Sequence, residues 1–342
     1  TGGYLPERIM TNEEMSTNVE TSDQWIQERT GIRQRHIAAD GELTSDLATQ
    51  AATHILKDAG IAAETVDLIV LATTTPDKTF PATATAVQAK LGTGPGAAFD
   101  VQAVCSGFLF ALATADSMLK TGLCKTALVI GAETFTRILD WSDRGTCVLF
   151  GDGAGGVVLT AETEADAGDR GILTHHIRTD GTKSELLHVD GGVSSTGTIG
   201  HVRMLGNQVF RHAVTYISSA IDAVYAEAGI SSDDVDWFVP HQANISLASA
   251  APYADSRLSP AQAARGVPHQ ANQRILNGVA KKMKLDESKV ISTVGDHGNT
   301  SAASIPLALH TAVSDGRIQP GQLVLSEAMG GGFSWGASLF RL

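Results

Sequence analysis

The chain carries DAGIAAETVDLIV at residues 58–70 and, 169 positions further on (227 − 58), EAGISSDDVDWFV at residues 227–239. Each stretch predicts the end of a helix at a glycine, then a short polar turn and an apolar strand. An amphipathic helix is predicted before each of them, over residues 45–58 and 210–226. Strands that alternate with helices indicate an α/β fold, and the recurrence predicts two similar halves.

A second pair of apolar segments extends this relationship. Residues 127–131 (ALVIG) are similar to residues 323–326 (LVLS), and both predict buried strands. We therefore predict an N-terminal half over residues 1–165 and a C-terminal half over residues 166–342. The alternative is that any α/β protein repeats a helix–turn–strand pattern without internal duplication.

A different repeat lies in the C-terminal half. The sequence VPHQAN occurs at residues 239–244 and again, letter for letter, 28 residues later (267 − 239) at residues 267–272. The stretch between them is rich in alanine, serine and proline, with helix breakers at Pro252, Pro260 and Gly266. This composition is typical of a surface loop, so an inserted loop is predicted within residues 239–272.

The overall composition excludes several classes of protein. Hydrophobic residues make up 43% and charged residues 18% of the 342 residues, and the net charge of −12 argues against general nucleic-acid binding. No apolar run is long enough to span a membrane, and the N-terminus has no signal-peptide pattern. Three cysteines without a CxxC pair fit a reducing compartment. We expect a soluble cytoplasmic protein that binds neither nucleic acid nor membrane.

Cys105 is the strongest candidate for chemistry among the cysteines. It precedes an apolar run of small residues, 109–119, which predicts a buried helix with the thiol at its N-terminus. The N–H groups and the dipole of a helix N-terminus lower the pKa of a thiol, and a thiolate suits acyl transfer through a thioester. The alternative is a small buried hydrophobic residue. Cys124 and Cys147 have no comparable setting.

The C-terminal half offers a partner for this cysteine. Asn299 lies in GDHGNTSAAS, residues 295–304, which also leads into a small-residue helix. It follows Cys105 by 194 residues (299 − 105), or 166 without the 28 extra residues, close to the repeat of 169. We therefore expect Cys105 and Asn299 to start equivalent helices and to share a pocket. The glycine-rich tail at residues 330–336 predicts either a plain turn or backbone N–H groups for a developing oxyanion.

With these residues in view, the chain resembles the β-ketoacyl-acyl-carrier-protein synthase III family over essentially its whole length apart from the extra residues. The shared motifs are ETSDQWI (20–26), RTGIR (29–33), VCSGF (104–108), VPHQAN, HGNTSAAS (297–304) and GGGFSWG (330–336). The resemblance implies a thiolase-like fold, with two pseudo-symmetric α/β halves in five layers (α-β-α-β-α). It also implies that the protein is an acyltransferase that initiates fatty-acid synthesis.

The resemblance further implies a reaction and a catalytic triad. Cys105 takes a short acyl group, acetyl in the simplest case, from acyl-coenzyme A. A histidine and Asn299 bind the malonyl carbonyl of malonyl-acyl carrier protein and favour decarboxylation. The resulting carbanion attacks the acyl-cysteine in a Claisen condensation and gives a 3-oxoacyl-acyl carrier protein. The N–H groups of Cys105 and Gly331 form the oxyanion hole.

Other residues match the family's substrate tunnel. Coenzyme A thioesters are the substrates, and neither a further cofactor nor a metal is expected. The resemblance implies a homodimer, in which Phe80 reaches across to close the acyl pocket of the partner. The residues implied to contact coenzyme A or the acyl group are Thr21, Trp25, Arg29, Arg144, Asn207, Phe80 and Met329.

The repeated motif leaves the histidine open between His241 and His269. His241 keeps the family spacing from the upstream side, and His269 keeps it from the downstream side. His269 is slightly favoured because it leaves the following helix intact and keeps Arg274 in its family place. Arg274, Lys281 and Lys282 on that helix form a basic patch that suits docking of the acidic acyl carrier protein.

Two other functions remain open at this point. One is a related condensing enzyme that uses coenzyme A thioesters, such as an alkylquinolone or polyketide starter synthase or a hydroxymethylglutaryl-coenzyme A synthase. The other is an inactive paralogue that only binds the carrier protein. A degradative thiolase is disfavoured because its second catalytic cysteine has no counterpart near residues 330–336.

Overall fold

The computed structural model describes residues 1–242 and 286–342. In the N-terminal half the strands are β1 (Gly2–Tyr4), β2 (Arg8–Thr11), β3 (Gln34–Ile37), β4 (Leu68–Ala72), β5 (Ala97–Val101), β6 (Thr126–Glu133) and β7 (Gly153–Thr160). The helices of this half are α1 (Asn12–Asn18), α2 (Asp23–Thr30), α3 (Thr44–Ala59), α4 (Thr83–Leu91), α5 (Gly107–Lys120), α6 (Arg144–Cys147) and α7 (Glu164–Ala167).

The described part of the C-terminal half is built in the same way. Its strands are β8 (Gly171–Thr179), β9 (Leu187–Val189), β10 (Val202–Met204), β11 (Trp237–Pro240), β12 (Leu323–Gly330) and β13 (Ser334–Arg341). Its helices are α8 (Gly206–Ala228), α9 (Val294–His297) and α10 (Ser304–Ser314). The predicted boundary between residues 165 and 166 falls in the connection from β7 to β8.

The two main sheets repeat one strand order. The first runs β1-β7-β6-β4-β5, and the second runs β8-β13-β12-β11. Each sheet contains one corresponding pair of parallel strands, β4 with β6 and β11 with β12. In each case an antiparallel neighbour follows, β7 beside β6 and β13 beside β12. In the second sheet, Phe238 of β11 forms a parallel bridge with Val290. This bridge corresponds to the parallel pairing of β4 with β5 in the first sheet. The prediction of two similar halves is therefore confirmed.

The predicted stretches lie at the centre of this architecture. The helices before them span Thr44–Ala59 and Gly206–Ala228, and each ends at a left-handed glycine, Gly60 or Gly229. Both predicted strands form, as β4 and β11. Glycine favours this ending because a left-handed residue without a Cβ caps the last carbonyls at little steric cost.

Alternating side chains of the buried strands separate the layers. On β4, Leu68 and Val70 face a core that α5 and α10 share, whereas Ile69 and Leu71 face the core under α3. Helix α8 packs on the far face of the second sheet. The resulting order is α, β, α, β, α, which confirms the five predicted layers, and β4 is apolar on both faces because both are covered.

The two central helices bring the halves into contact at their N-terminal ends. Each follows a 3-10 turn, Val104–Ser106 before α5 and Ser301–Ala303 before α10. At Gly131 an added Cβ would collide with the carbonyl oxygen of Ala302, so a residue without a side chain is required there. This close approach sets the chemistry-bearing turns of both halves side by side.

Candidate active site

A buried cavity lies where these two turns meet the second sheet. Its polar lining consists of Cys105, His241, Asn299 and Glu327. The rest of the wall is apolar and is made by Phe150, Leu187, Met204, Val209, Ala213, Ile217 and Met329. A mostly apolar pocket with a few convergent polar groups is typical of a small-molecule or catalytic site.

Cys105 follows the carboxyl end of β5 and lies in the 3-10 turn that precedes α5. The Ser106 hydroxyl next to it donates to the carbonyl oxygens of Ala103, at 2.7 Å, and Ser334, at 3.1 Å, which ties this turn to the second sheet. Gly330 of β12 lies against the same turn, and a Cβ there would stand 2.7 Å from the Cys105 nitrogen. The position of the sulfur is therefore fixed from both halves.

The protonation of Cys105 differs from the expectation. A helix N-terminus was expected to lower the thiol pKa, but burial raises the pKa of Cys105 to about 12, and the negative charge of Glu133 adds to this. Hydrogen bonding to the sulfur lowers the pKa by less than burial raises it. Desolvation disfavours the thiolate more strongly than nearby N–H groups favour it. Cys105 is therefore a neutral thiol at physiological pH, and its proton must leave when the sulfur attacks.

Asn299 reaches the cavity from a segment braced by the N-terminal half. Its N–H donates to the carbonyl oxygen of Leu149, at 2.9 Å, and its own carbonyl oxygen accepts from Gly151, at 3.0 Å. Its side-chain Oδ1 accepts from the N–H of Ser301, at 2.9 Å. With the carbonyl end engaged, the Nδ2 amide is left as a donor toward the cavity.

The predicted equivalence of Cys105 and Asn299 needs a correction. The helices are equivalent, but α5 and α10 begin 197 residues apart (304 − 107), so Ala302 is the counterpart of Cys105. Asn299 lies three residues before that position. The two residues share the cavity because Asn299 precedes its turn while Cys105 lies within its own turn.

His241 enters the cavity at the end of β11. Its backbone N–H donates to the carbonyl oxygen of Glu327, at 2.8 Å, and its ring is buried. Burial lowers the pKa of His241 to about 3, so the imidazole is neutral at physiological pH. A neutral imidazole offers one N–H donor and one acceptor, which suits binding of a carbonyl oxygen.

The next residue, Gln242, locks this copy of the repeated motif in place. Its Nε2 donates to the carbonyl oxygens of Pro240, at 2.8 Å, and Ile291, at 3.1 Å. Its Oε1 accepts from the N–H groups of Thr293, at 2.8 Å, and Val294, at 3.2 Å. A buried amide with four hydrogen bonds is strongly favoured over one left without partners. The other copy, with His269, and the basic residues Arg274, Lys281 and Lys282 lie outside the described residues.

The glycine tail forms the tight connection from β12 to β13. Gly330 ends β12, Ser334 starts β13, and Gly332 has a φ of +129°, which few residues other than glycine adopt. A Cβ on Gly331 would lie 2.6 Å from the carbonyl oxygen of Leu187, a residue of the cavity wall. The turn therefore needs glycine because it passes close to the wall of the cavity.

Three of the residues predicted to bind coenzyme A cluster together and do not line the cavity. The guanidinium groups of Arg29 and Arg144 lie over the Trp25 ring, 4.5 and 4.8 Å from its centroid. Arg144 also donates to the carbonyl oxygen of Glu20, at 2.8 Å. The neighbouring Thr21 has a buried hydroxyl without a hydrogen-bond partner among the described residues. This arrangement offers flat, positively charged surfaces.

The remaining predicted tunnel residues are dispersed. Met329 lines the cavity, and Asn207 is exposed in the first turn of α8, the helix whose residues Val209 and Ala213 form the cavity wall. Phe80 is 82% exposed and does not line the cavity of this single chain.

The sequence interpretation missed Glu327 and most of the apolar wall. A glutamate inside LVLSEAMG, an otherwise apolar strand, was the available signal for Glu327. The wall residues Val209, Ala213 and Ile217 recur every four positions on α8, the spacing of one helix face. They could have been assigned to a buried face, but not to a cavity.

Within residues 1–242 and 286–342, none of the helices combines the length and apolarity needed to cross a membrane. The same residues contain no group of three or more histidine, cysteine, aspartate or glutamate side chains arranged to hold a metal ion.

Comparison with known proteins gives a consistent result. Residues 99–181 match the family model described as 3-oxoacyl-[acyl-carrier-protein] synthase III, and residues 253–342 match the model for the C-terminal part of the same family. The β-ketoacyl-[acyl-carrier-protein] synthase III of Hyphomonas neptunium is 68% identical over 342 residues, covering 100% of this chain and 97% of that protein. The enzyme of the same name from Rhodospirillum centenum is 58% identical, covering 99% of this chain and 97% of that protein.

A solved structure is similar over the same extent. The crystal structure of 3-oxoacyl-[acyl-carrier-protein] synthase III from Aquifex aeolicus superimposes with a TM-score of 0.86 at 42% identity. The match covers 100% of this chain and 98% of that one.

Proposed function

Because the chain belongs to the β-ketoacyl-[acyl-carrier-protein] synthase III family, the condensing acyltransferases that initiate fatty-acid synthesis, we propose that its cavity joins a short acyl group from acyl-coenzyme A to malonyl-acyl carrier protein. The observation that carries this proposal is the convergence of Cys105, His241 and Asn299 on one buried cavity. They come from three separate parts of the chain and supply a nucleophile and two hydrogen-bond donors.

In the first half-reaction Cys105 is the acyl acceptor. Its sulfur attacks the thioester carbonyl, the C–S bond to coenzyme A breaks, and the thiol proton passes to the departing coenzyme A thiolate. The developing oxyanion is held by the N–H groups of Cys105 and Gly331. Support for this pair comes from Gly330, the residue before Gly331, which packs directly against the backbone of the Cys105 turn.

In the second half-reaction the two donors act on the malonyl thioester. The neutral ring of His241 and the Nδ2 of Asn299 hold its carbonyl oxygen, which carries negative charge once carbon dioxide is lost. The carbanion then attacks the acyl-cysteine. We assign the histidine to His241 rather than His269 because the hydrogen bonds of Gln242 hold the first copy of the motif at the cavity.

The adenine of coenzyme A is proposed to bind at the cluster of Trp25, Arg29 and Arg144. Stacked guanidinium and indole groups attract a flat aromatic base, and their positive charge suits the adjoining phosphates. Asn207 contacts the pantetheine arm, and Met329 contacts the acyl group beside Cys105. Arg274, Lys281 and Lys282 dock the carrier protein.

The same proposal includes a cytoplasmic homodimer. Strand β5 lies at the edge of the first sheet and its residues are partly exposed, which leaves backbone groups available to pair with a second copy. We propose that Phe80 enters the acyl pocket of the partner subunit, and its 82% exposure in one chain supports this. A large exposed aromatic side chain and a sheet edge with free backbone groups are both typical of an interface.

The proposal is tested by trapping the acyl-enzyme. The protein is mixed rapidly with radiolabelled acetyl-coenzyme A, quenched in acid and digested, and the labelled peptide is identified by mass spectrometry. Label is expected on Cys105, lost in Cys105→Ala and retained in Cys124→Ser, a buried cysteine that does not line the cavity. A labelled enzyme that gives no 3-oxoacyl product with malonyl-acyl carrier protein would contradict the proposal, as would label at another residue.

A further inference from the structure

Glu327 is a buried acid that the proposed reaction has not used. It lies in β12, and its side chain, 1% exposed, lines the cavity together with Cys105, His241 and Asn299. Its Oε2 has no hydrogen-bond partner among the described residues. The backbone carbonyl oxygen of Glu327 accepts a hydrogen bond from the backbone N–H of His241. The paired strands β11 and β12 therefore position both residues.

The presence of a carboxyl group at this position does not stabilise the fold. Within residues 1–242 and 286–342 no charged group offsets the burial of Glu327, and a buried carboxyl group without a cationic partner is unfavourable. Burial raises the pKa of Glu327 to about 8, so it is mostly a neutral acid at physiological pH. A neutral carboxylic acid in an apolar cavity is a proton donor.

The proton balance of the second half-reaction requires such a donor. Acyl transfer from coenzyme A uses no net proton, because the thiol proton leaves with coenzyme A. In the condensation the malonyl C–C bond breaks to release carbon dioxide, a new C–C bond forms, and the acyl–sulfur bond of Cys105 breaks. Cys105 departs as a thiolate in a mostly apolar cavity and must gain one proton before the next cycle.

Building on the proposed function, we propose that Glu327 is the acid that returns this proton to Cys105 during the condensation half-reaction. The O–H bond of Glu327 breaks, the S–H bond of Cys105 forms, and the resulting carboxylate is reprotonated from solvent. Proton transfer from Glu327 to Cys105 is favourable because burial raises the pKa of the thiol to about 12 and the pKa of the carboxyl group only to about 8. His241 cannot serve as the acid, because burial keeps its ring neutral.

The test separates the two half-reactions in Glu327→Gln, which keeps the size of the side chain and removes the acid. The rate constant for acylation of Cys105 by acetyl-coenzyme A is measured by rapid quench, and condensation is then followed in a single turnover of the isolated acyl-enzyme with malonyl-acyl carrier protein. We expect acylation to be unchanged and condensation to fall by roughly 100-fold or more. Ser326→Ala, a buried polar residue beside it on β12 that does not line the cavity, should leave both rate constants unchanged.

A pH profile of the parent enzyme gives a second measurement that depends on no variant. The condensation rate constant should fall as the pH rises past about 8, since only the acid form of Glu327 donates. The other titratable groups of the described cavity lining are Cys105 and His241, and their pKa values lie far from this range. Burial also raises the pKa of Glu133, to about 7, but it does not line the cavity, so the decline should persist in Glu133→Gln.

The outcomes are distinguishable. Equal loss of acylation and condensation in Glu327→Gln, or retention of both, would overturn the assignment, as would a condensation rate that stays constant well above pH 8 in the parent. Failure of the parent to become acylated at Cys105 would instead overturn the proposed function.

Discussion

Val104 and Ser301 occupy equivalent positions in the two halves, and each has a backbone φ of +50°. They are 197 residues apart (301 − 104), which is the 169-residue repeat increased by the 28 extra residues. No other residue of the described ranges, apart from glycines, has a positive φ. This conformation is strained for residues with a side chain, so the fold gives up stability at the two turns that orient Cys105 and Asn299.

The orientation of Asn299 leads to a first prediction. Its Oδ1 is engaged by the N–H of Ser301, so the Nδ2 is the group that meets a substrate oxygen. Asn299→Asp keeps the first contact but places an acceptor where a donor is needed. Malonyl decarboxylation should fall by roughly 100- to 1,000-fold, while acylation of Cys105 continues. Release of labelled carbon dioxide from malonyl-acyl carrier protein measures the first effect, and acyl-enzyme trapping measures the second. Unchanged decarboxylation would rule out this role for Asn299.

A second prediction concerns Gly330, where β12 touches the nucleophile turn. A Cβ there would stand 2.7 Å from the nitrogen of Cys105 and 2.9 Å from the carbonyl oxygen of Ala103, and neither backbone atom can rotate away. Gly330→Ala should destabilise the fold by about 1–3 kcal/mol and reduce acylation of Cys105, because the turn has to shift. Gly181→Ala, with nothing within 4 Å of the added Cβ, is the matched control. Thermal unfolding and acyl-enzyme trapping check both effects; equal behaviour of the two variants would contradict the close packing.

Much of this arrangement could be predicted from the sequence, because periodicity and repetition are local signals. The stretches at 58–70 and 227–239 predicted the helix ends at Gly60 and Gly229, the strands β4 and β11 and the duplication of the fold. The repeat offset also placed Cys105 and Asn299 in one pocket, although an error of three residues hid that Ala302 is the true counterpart of Cys105.

The rest depended on long-range packing, which no local pattern records. The thiol pKa was misjudged because the helix start is visible in the sequence, whereas the burial that outweighs it is produced by both halves together. Glu327 could be noticed as a charge in an apolar strand, but its position in the same cavity as Cys105 depends on how β12 pairs with β11. The sequence interpretation favoured His269 over His241 only slightly, since the letters of the two motifs are the same and only their spacing to neighbouring motifs differs.

The two histidines provide a third prediction. His241→Ala should reduce malonyl decarboxylation by roughly 100-fold or more, since it removes a donor to the thioester oxygen. His269→Ala should decarboxylate at the parent rate. The two variants are compared under identical conditions with malonyl-acyl carrier protein. The opposite order would transfer the catalytic role to His269, and equal loss in both would contradict a site served by one copy of the motif.

A fourth prediction concerns Trp25, whose ring lies under the guanidinium groups of Arg29 and Arg144. Trp25→Ala removes the stacking surface at a distance from the reacting atoms. The KM for acetyl-coenzyme A should rise by roughly tenfold, and kcat should stay the same, because binding is lost equally in the ground state and the transition state. Trp237→Phe serves as the control. The indole N–H of Trp237 donates to the Gln322 side chain, and Trp237 is not part of this cluster. A decrease in kcat with unchanged KM would argue against coenzyme A binding at this cluster.

The last prediction concerns the effect of the buried carboxyl group of Glu327 on the pH dependence of the free energy of unfolding. Burial raises its pKa from 4.5 to about 8, so between these values the folded protein keeps a proton that the unfolded chain releases. The free energy of unfolding therefore falls as the pH rises, by at most about 1.4 kcal/mol per pH unit for this group. Glu327→Gln has no proton to lose, so its stability relative to the parent should be similar near pH 4.5, increase up to pH 8 and then level off. Urea unfolding of both proteins at several pH values measures the difference, with Ser326→Ala as the control. A difference that does not change with pH would show that Glu327 ionises freely and is not the buried acid described above.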